Sequence, residues 1–322
     1  MDVGVRCVSV DEPKHIHDMG CRWSRVSLHW PSIQPERGVF DFSYYEPIVA
    51  KAAELGLSMT AELYPFRQTF PDDHWTWRGA RGMVPDPGAW QDFVCTVVNR
   101  FKKYIQHWEI WCEPNCMSCN PMNYYDTDSF IHVLKTTSTM IRDIDSSARI
   151  VAGGLWLNGL TRMYIDALAK PDVLPYFDVV SWHYYLMASS NDARHFAASK
   201  DILDKWMRFI RSRFPEHYPI WITEFGIPTK MGDSELLDSS TRGQIIGLSL
   251  DEQAEWFSEF AETASREWDL DKVFFLILKD IGDQGRHFGF STGLQLPDGT
   301  PKPIIESISQ FEMSKRCTDG QK

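Results

Sequence analysis

Residues 106–120 read QHWEIWCEPNCMSCN. The run HWEIW (107–111) has the aromatic and β-branched make-up of a buried strand, and it stops against Glu113, Pro114 and Asn115. The same plan recurs along the chain. The runs VRCVSV (5–10), RVSLHW (25–30), LSMTAEL (57–63), RIVAGGL (149–155), FDVVSWH (177–183), PIWITEF (219–225) and KVFFLILKD (272–280) also read as strands. Between them lie helix-periodic segments such as YYEPIVAKAAELG (44–56), DSFIHVLKTTSTMIRDI (128–144), KDILDKWMRFIRSRF (200–214) and LDEQAEWFSEFAETASREW (250–268). Strands alternating with helices predict a parallel sheet. Eight of them predict an α/β fold closed as a single (β/α)8 TIM barrel, one domain over residues 1–322. An open doubly wound sheet would carry a Gly-rich turn after its first strand, and VRCVSV is followed by none. No Pro/Gly/Ser-rich linker and no internal repeat divides the chain.

The bulk properties narrow the function classes. A hydrophobic content of 43% over 322 residues is enough for a sizeable core. A formal net charge of −11 is a poor match to nucleic acid, which calls for a basic patch. The longest apolar run, VFFLIL (273–278), is strand-sized and far short of a bilayer span, so no membrane partner is expected. The opening MDVGVRCVSVDEPKH lacks the basic and apolar regions of a signal peptide. Seven scattered cysteines and no N-x-Ser/Thr sequon suit buried thiols in a reducing compartment. A cytoplasmic location is therefore expected, with secretion after removal of a signal peptide as the alternative. Most of the 13 Trp, 11 Tyr and 19 Phe are expected in the core. Trp75, Trp77, Trp90 and Trp156 sit in polar, loop-like contexts, where they could be platforms for a ligand with apolar faces, as sugars have.

Two connections are long, 64–87 after the third strand and 226–249 after the seventh. In a barrel both sit over the C-terminal face, where active sites are built. Glu113 comes just past the fourth strand, and Glu224, in WITEFG, ends the seventh. Either glutamate alone could be a helix cap or half of a surface ion pair. Both at C-terminal strand ends, in aromatic settings, point instead to paired carboxyl groups, and a pair about 5 Å apart is the geometry of a retaining glycosidase.

Further segments join these. WEIWCEPN resembles the W-N-E-P-N acid/base motif of the clan A glycoside hydrolases, and WITEFG resembles their strand-7 nucleophile motif. MGCRWSRVSLHWPSIQPERGVFDFSYYEPIVAKAAELGL (19–57) is similar to the second-strand region of families 39 and 5. SWHYY (181–185) resembles their strand-6 His-x-Tyr, and FGFSTGLQLPDGTPKPI (288–304) their final loop. The resemblance covers nearly the whole chain in order, with family 39 the nearer and family 5 next.

It implies a retaining β-glycosidase that needs no cofactor and no metal, with a glycoside, oligosaccharide or polysaccharide as its substrate. Glu113 would protonate the leaving oxygen and later deprotonate water, and Glu224 would form a glycosyl-enzyme ester. Arg25 would hydrogen-bond Glu224 and keep it ionised, unless it closes a barrel layer against another buried acid. Tyr185 would contact Glu224, and His183 would lie by the acid/base and the substrate. Asn115 would fix the loop after Glu113, and Asp280, closing the eighth strand, would meet the substrate. The sugar, the linkage and the oligomeric state stay open.

One position departs from the family. Cys112 stands where the family has an Asn that holds the sugar 2-hydroxyl. Hydrogen bonds to that hydroxyl strengthen in the transition state, and a thiol is a poor substitute. A substrate altered at carbon 2 would suit Cys112. The departure also favours a rival, a carbohydrate-binding protein without catalysis; a transglycosylase on the same residues is another. Cys112, Cys116 and Cys119 also form C-x3-C-x2-C, the iron–sulfur spacing of radical SAM enzymes. There, however, the motif follows the first strand, and here it follows the fourth. A zinc site would need a fourth ligand, and His107 and His132 have no convincing spacing for it.

Overall fold

The computed structural model describes residues 1–65, 75–77, 83–116, 125–187, 194–230, 236–237, 244–245, 247–281 and 291–319. Its elements run β1 (Asp2–Arg6), α1 (Glu12–Asp18), β2 (Trp23–His29), α2 (Trp30–Ile33), α3 (Tyr45–Glu54) and β3 (Ser58–Tyr64). Then come β4 (Trp75–Trp77), β5 (Met83–Pro85), α4 (Pro87–Phe101), β6 (His107–Ile110), α5 (Thr127–Ile144), β7 (Arg149–Trp156) and α6 (Thr161–Leu168). The chain continues through β8 (Val179–Tyr185), α7 (Phe196–Arg211), β9 (Ile220–Gly226), β10 (Leu236–Leu237) and β11 (Gln244–Ile245). It ends with α8 (Leu250–Arg266), β12 (Lys272–Phe275) and α9 (Ile304–Asp319).

Eight strands close into a parallel barrel in the order β1-β12-β9-β8-β7-β6-β3-β2. This is the (β/α)8 architecture the alternation predicts. The two long connections each hold a small antiparallel pair, β4 with β5 and β10 with β11. The first and last strands, β1 and β12, differ from expectation in their bounds. The first spans Asp2–Arg6 rather than 5–10, because the Glu12 carboxylate accepts the backbone N–H of Val8 and Ser9 and turns the chain into α1. The eighth stops at Phe275, and Lys279 meets Gln295 only in an isolated bridge.

By Cα packing the chain divides into two compact units. One comprises Arg25–His183 and Arg213–Trp221. Its core includes Trp30, Trp90 and Phe93 in mutual ring contact, with Trp111 against Trp90. Trp90 is thus a buried core residue of α4, its indole N–H donated to Thr137 Oγ1 at 2.7 Å, and not the exposed platform its polar sequence context suggests. The helix register around it turned that side chain inward. The other unit comprises Met1–Ser24, Tyr184–Ser212 and Ile222–Lys322. Phe225 of β9 packs there on Trp256 and Phe260 of α8 and on Phe275 of β12. The helices that follow the glutamate-bearing strands start at defined caps. The Asp126 carboxylate accepts the N–H of Asp128 and Ser129 at the head of α5, and Ser249 with Glu252 forms a capping box at the head of α8.

Candidate active site

In the first unit, β6 ends at Ile110 and the backbone turns sharply. Trp111 (φ 76°) and Glu113 (φ 45°) both adopt the left-handed region, an uncommon pair of non-glycine residues there. Strain of this kind persists only where neighbours over-determine it, and it collects at functional sites. The neighbours here are explicit. Glu113 donates its N–H to the Gly154 carbonyl at 3.0 Å, and its own carbonyl accepts from Cys116 N at 2.9 Å. Tyr164 donates its hydroxyl to the Pro114 carbonyl at 2.8 Å. Asn115 donates Nδ2 to the Trp156 carbonyl at 2.7 Å and accepts the Trp156 N–H at 2.9 Å, while Asn158 donates to the Asn115 carbonyl. Asn115 thus ties the turn to the end of β7, and Trp156 is half-buried at that junction.

Glu113 is 5% exposed. Its Oε1 lies 2.8 Å from Nδ1 of the fully buried His183 on β8. The Cys112 thiol is buried beside it, with Sγ within 4.8 Å of a His183 ring nitrogen. Gly154 makes room for that imidazole, since a Cβ there would stand 2.0 Å from His183 Nε2. Cys116 is also a buried thiol, and Cys119 lies outside the described residues.

Arg25 is fully buried on β2, and its guanidinium contacts two acids. Nη2 lies 2.6 Å from Glu62 and Nε 3.0 Å from Glu109. Pairing with buried acids is the layer-closing role weighed above for Arg25. Neither Glu62 nor Glu109 was singled out from the sequence. The available signal was an ionisable residue in the middle of a strand otherwise fit for burial, AEL on β3 and WEI on β6.

In the second unit, β9 is buried throughout. The strand pleat puts Phe225 among the aromatic side chains of α8 and leaves Glu224 on the opposite face. Glu224 is 7% exposed, and the Tyr185 hydroxyl donates to its Oε2 at 2.6 Å. Gly226, two residues on, admits the Tyr185 ring: a Cβ at Gly226 would lie 2.6 Å from Tyr185 Cδ1. Asp280 is buried, one oxygen 2.7 Å from Lys302 Nζ and the other accepting the Gly293 N–H at 2.8 Å. Burial raises the Asp280 pKa above the usual carboxylate range despite Lys302. Both oxygens are engaged in holding the 291–302 segment, so a substrate would have to compete for them. The Trp75 and Trp77 side chains lie outside the described residues.

A closed parallel (β/α)8 barrel hosts many chemistries, and sequence comparison narrows the class. Residues 73–267 match the cellulase family, glycosyl hydrolase family 5. That is more than half of the chain, and the chain belongs to this family. No curated protein sequence matches it. Among solved structures it is similar to a family 39 glycoside hydrolase from Bacteroides cellulosilyticus WH2, at 16% identity and a TM-score of 0.70 over 97% of this chain and 63% of that one. It is similar to a monomeric β-xylosidase from Caulobacter crescentus CB15, at 15% identity and 0.69 over 96% and 67%. A family 5 enzyme from Bifidobacterium longum subsp. longum, solved with Manβ1-4GlcNAc, gives 17% identity and 0.70 over 98% and 78%. The chain spans less than two thirds of the length of the Bacteroides protein. At these identities the likeness is one of fold.

Proposed function

We propose that the protein is a retaining β-glycosidase that cleaves O-glycosidic bonds, with Glu113 as acid/base and Glu224 as nucleophile. One observation carries the reading. One buried carboxyl group, Glu113, follows β6 by three residues, another, Glu224, lies near the C-terminal end of β9, and each is held by a different kind of partner, His183 on Glu113 and Tyr185 on Glu224. An imidazole beside Glu113 suits a group that must give up and regain a proton. A phenol donating to Glu224 suits a carboxylate held ionised and aimed for attack. Double displacement then runs in two steps. Glu224 attacks the anomeric carbon while Glu113 protonates the departing oxygen; Glu113 then takes a proton from water as that water releases the sugar. Membership of a glycoside hydrolase family supports the assignment.

Cys112 bears on the substrate. A buried thiol in place of the family's amide removes a strong partner for an equatorial 2-hydroxyl. We infer that the preferred sugar differs at carbon 2. Mannosides, whose 2-hydroxyl is axial, belong in that set, and the Bifidobacterium relative was solved with a mannose-containing disaccharide.

The test is hydrolysis of a panel of aryl β-glycosides and oligosaccharides, 2-modified sugars and β-mannosides included, by wild type and Glu224→Gln. Cleavage by wild type alone, with the product anomer of the same configuration by proton NMR, is the expected result. Inversion of the anomeric centre, or equal activity in the variant, would overturn the mechanism. Binding of the sugars without any cleavage would favour the non-catalytic reading that Cys112 also suits.

A further inference from the structure

Glu109 lies on β6, four residues before the proposed acid/base, and is fully buried. Its Oε2 accepts from Arg25 Nε at 3.0 Å. Its Oε1 accepts the Gly154 N–H at 3.1 Å and lies 3.0 Å from the Ser181 hydroxyl, which is also 2.5 Å from the Ala152 carbonyl at the start of the bulge. Gly154 and Gly153 form a bulge: Ala152 pairs with Val180 and Leu155 with Trp182, so two residues of β7 stand opposite Ser181 alone. A bulge re-aims its strand and leaves backbone groups outside the ladder, which must then find other partners. Here the Gly154 N–H finds a carboxylate, and such charge-assisted bonds are the stronger kind.

The bulge in turn holds Glu113 from two sides. The Gly154 carbonyl accepts the Glu113 N–H, fixing the backbone in its left-handed conformation. The bare Gly154 Cα is where the His183 imidazole packs, and that imidazole holds the Glu113 carboxyl group. Gly153 is equally confined, since a Cβ there would stand 2.2 Å from the Ile110 carbonyl at the end of β6. Arg25 anchors the carboxylate, the carboxylate anchors the bulge, and the bulge sets both the main chain and the side-chain partner of Glu113.

We propose that Glu109 is a positioning residue for the acid step, acting on Glu113 through the Gly153–Gly154 bulge. The inference rests on Glu113 being the acid/base. It makes a prediction that a purely structural role does not. A misplaced acid harms only those substrates whose leaving group must be protonated. Dinitrophenyl glycosides leave without help, whereas alkyl glycosides and disaccharides do not.

The experiment compares kcat/KM, which reports the glycosylation step, for both substrate types in wild type, Glu113→Gln, Glu109→Gln and Ser181→Ala. Glu109→Gln keeps the size of the side chain but removes its charge. The expected result is a loss on the order of 100-fold on alkyl glycosides, the scale of an ångström-sized misplacement, with dinitrophenyl glycosides within a few-fold of wild type. Ser181→Ala, which removes the hydroxyl lying between the same carboxyl group and the Ala152 carbonyl beside the bulge, should show the same selectivity at smaller size, and it decides the matter if Glu109→Gln does not fold. Equal losses on both substrate types, or none, would overturn the inference. The control separates the two readings. If Glu113→Gln itself shows no leaving-group selectivity, the acid/base assignment fails; if it does and the Glu109 and Ser181 variants do not, only the positioning role fails.

Discussion

Tyr185 donates its hydroxyl to Glu224 Oε2 at 2.6 Å, and the bare Cα of Gly226 lets the Tyr185 ring reach that position. A hydrogen bond to a charged group contributes about 1.5–3 kcal/mol. Tyr185→Phe removes this one and nothing of the ring. Steady-state kinetics should show kcat/KM lower by about 10- to 100-fold on every leaving group, because Glu224 as the proposed nucleophile serves them all. A loss confined to poor leaving groups would place Tyr185 with the acid instead.

Arg25 sits between Glu62 and Glu109 with no exposed surface on its side chain. Removing one partner of a buried ion pair leaves uncompensated charge and costs about 3–5 kcal/mol. Arg25→Met should therefore lower unfolding free energy by about that amount in urea titration. The double variant Arg25→Met with Glu109→Gln should recover part of the loss. Failure to recover any would mean that Glu62 carries the unpaired charge.

At Gly153 the obstacle is backbone rather than a movable side chain, the Ile110 carbonyl 2.2 Å from any added Cβ. Gly153→Ala should destabilise by about 1–3 kcal/mol or more, as overpacking does. It should also reduce activity more than that loss explains, since Ile110 leads directly into the Glu113 turn. Thermal unfolding alongside kinetics at a temperature well below the transition separates the two effects.

Cys112→Asn introduces the amide that the W-N-E-P-N motif, which WEIWCEPN resembles, carries before its glutamate. Activity on unmodified equatorial glycosides should rise by about tenfold or more, on the scale of one hydrogen bond that strengthens in the transition state. Activity on carbon-2-modified substrates should fall. A gain on plain glycosides with no cost on any modified one would refute the substrate inference.

Acid stability should depend on Asp2, which joins the start of β1 to Lys315 of α9 and to Lys272. Burial raises its pKa, but Lys315 and Lys272 outweigh burial and hold it below the usual carboxylate range. The folded value is thus the depressed one. The stabilisation is fully present above the unfolded value of about 3.9 and is lost as pH falls through the folded value. Asp2→Asn should melt lower than wild type at pH 7, and the difference should vanish well below pH 4. A gap that persists at the lowest pH would mean that packing, not charge, holds this corner.

Much was legible along the chain because it depends on near neighbours. The alternation of short β-rich runs with amphipathic segments is local, and the barrel followed from it. Glu113 and Glu224 were legible for the same reason, each lying at the end of a recognisable strand beside a motif. His183 and Tyr185 were expected near Glu113 and Glu224, and the structure brings each to its glutamate. The Arg25–Glu62–Glu109 cluster was not legible, because three strands far apart in sequence had to align before one guanidinium could meet two carboxylates. Nor was the bulge at Gly153–Gly154, whose register shift exists only against β8. The engagement of Asp280 by Lys302 and the burial of Trp90 likewise depend on how distant segments pack. Chain-local chemistry marked the acids and the strands that carry them. Only tertiary register, through which hydrogen bonds and charges select partners across the barrel, decided how Glu113 is held.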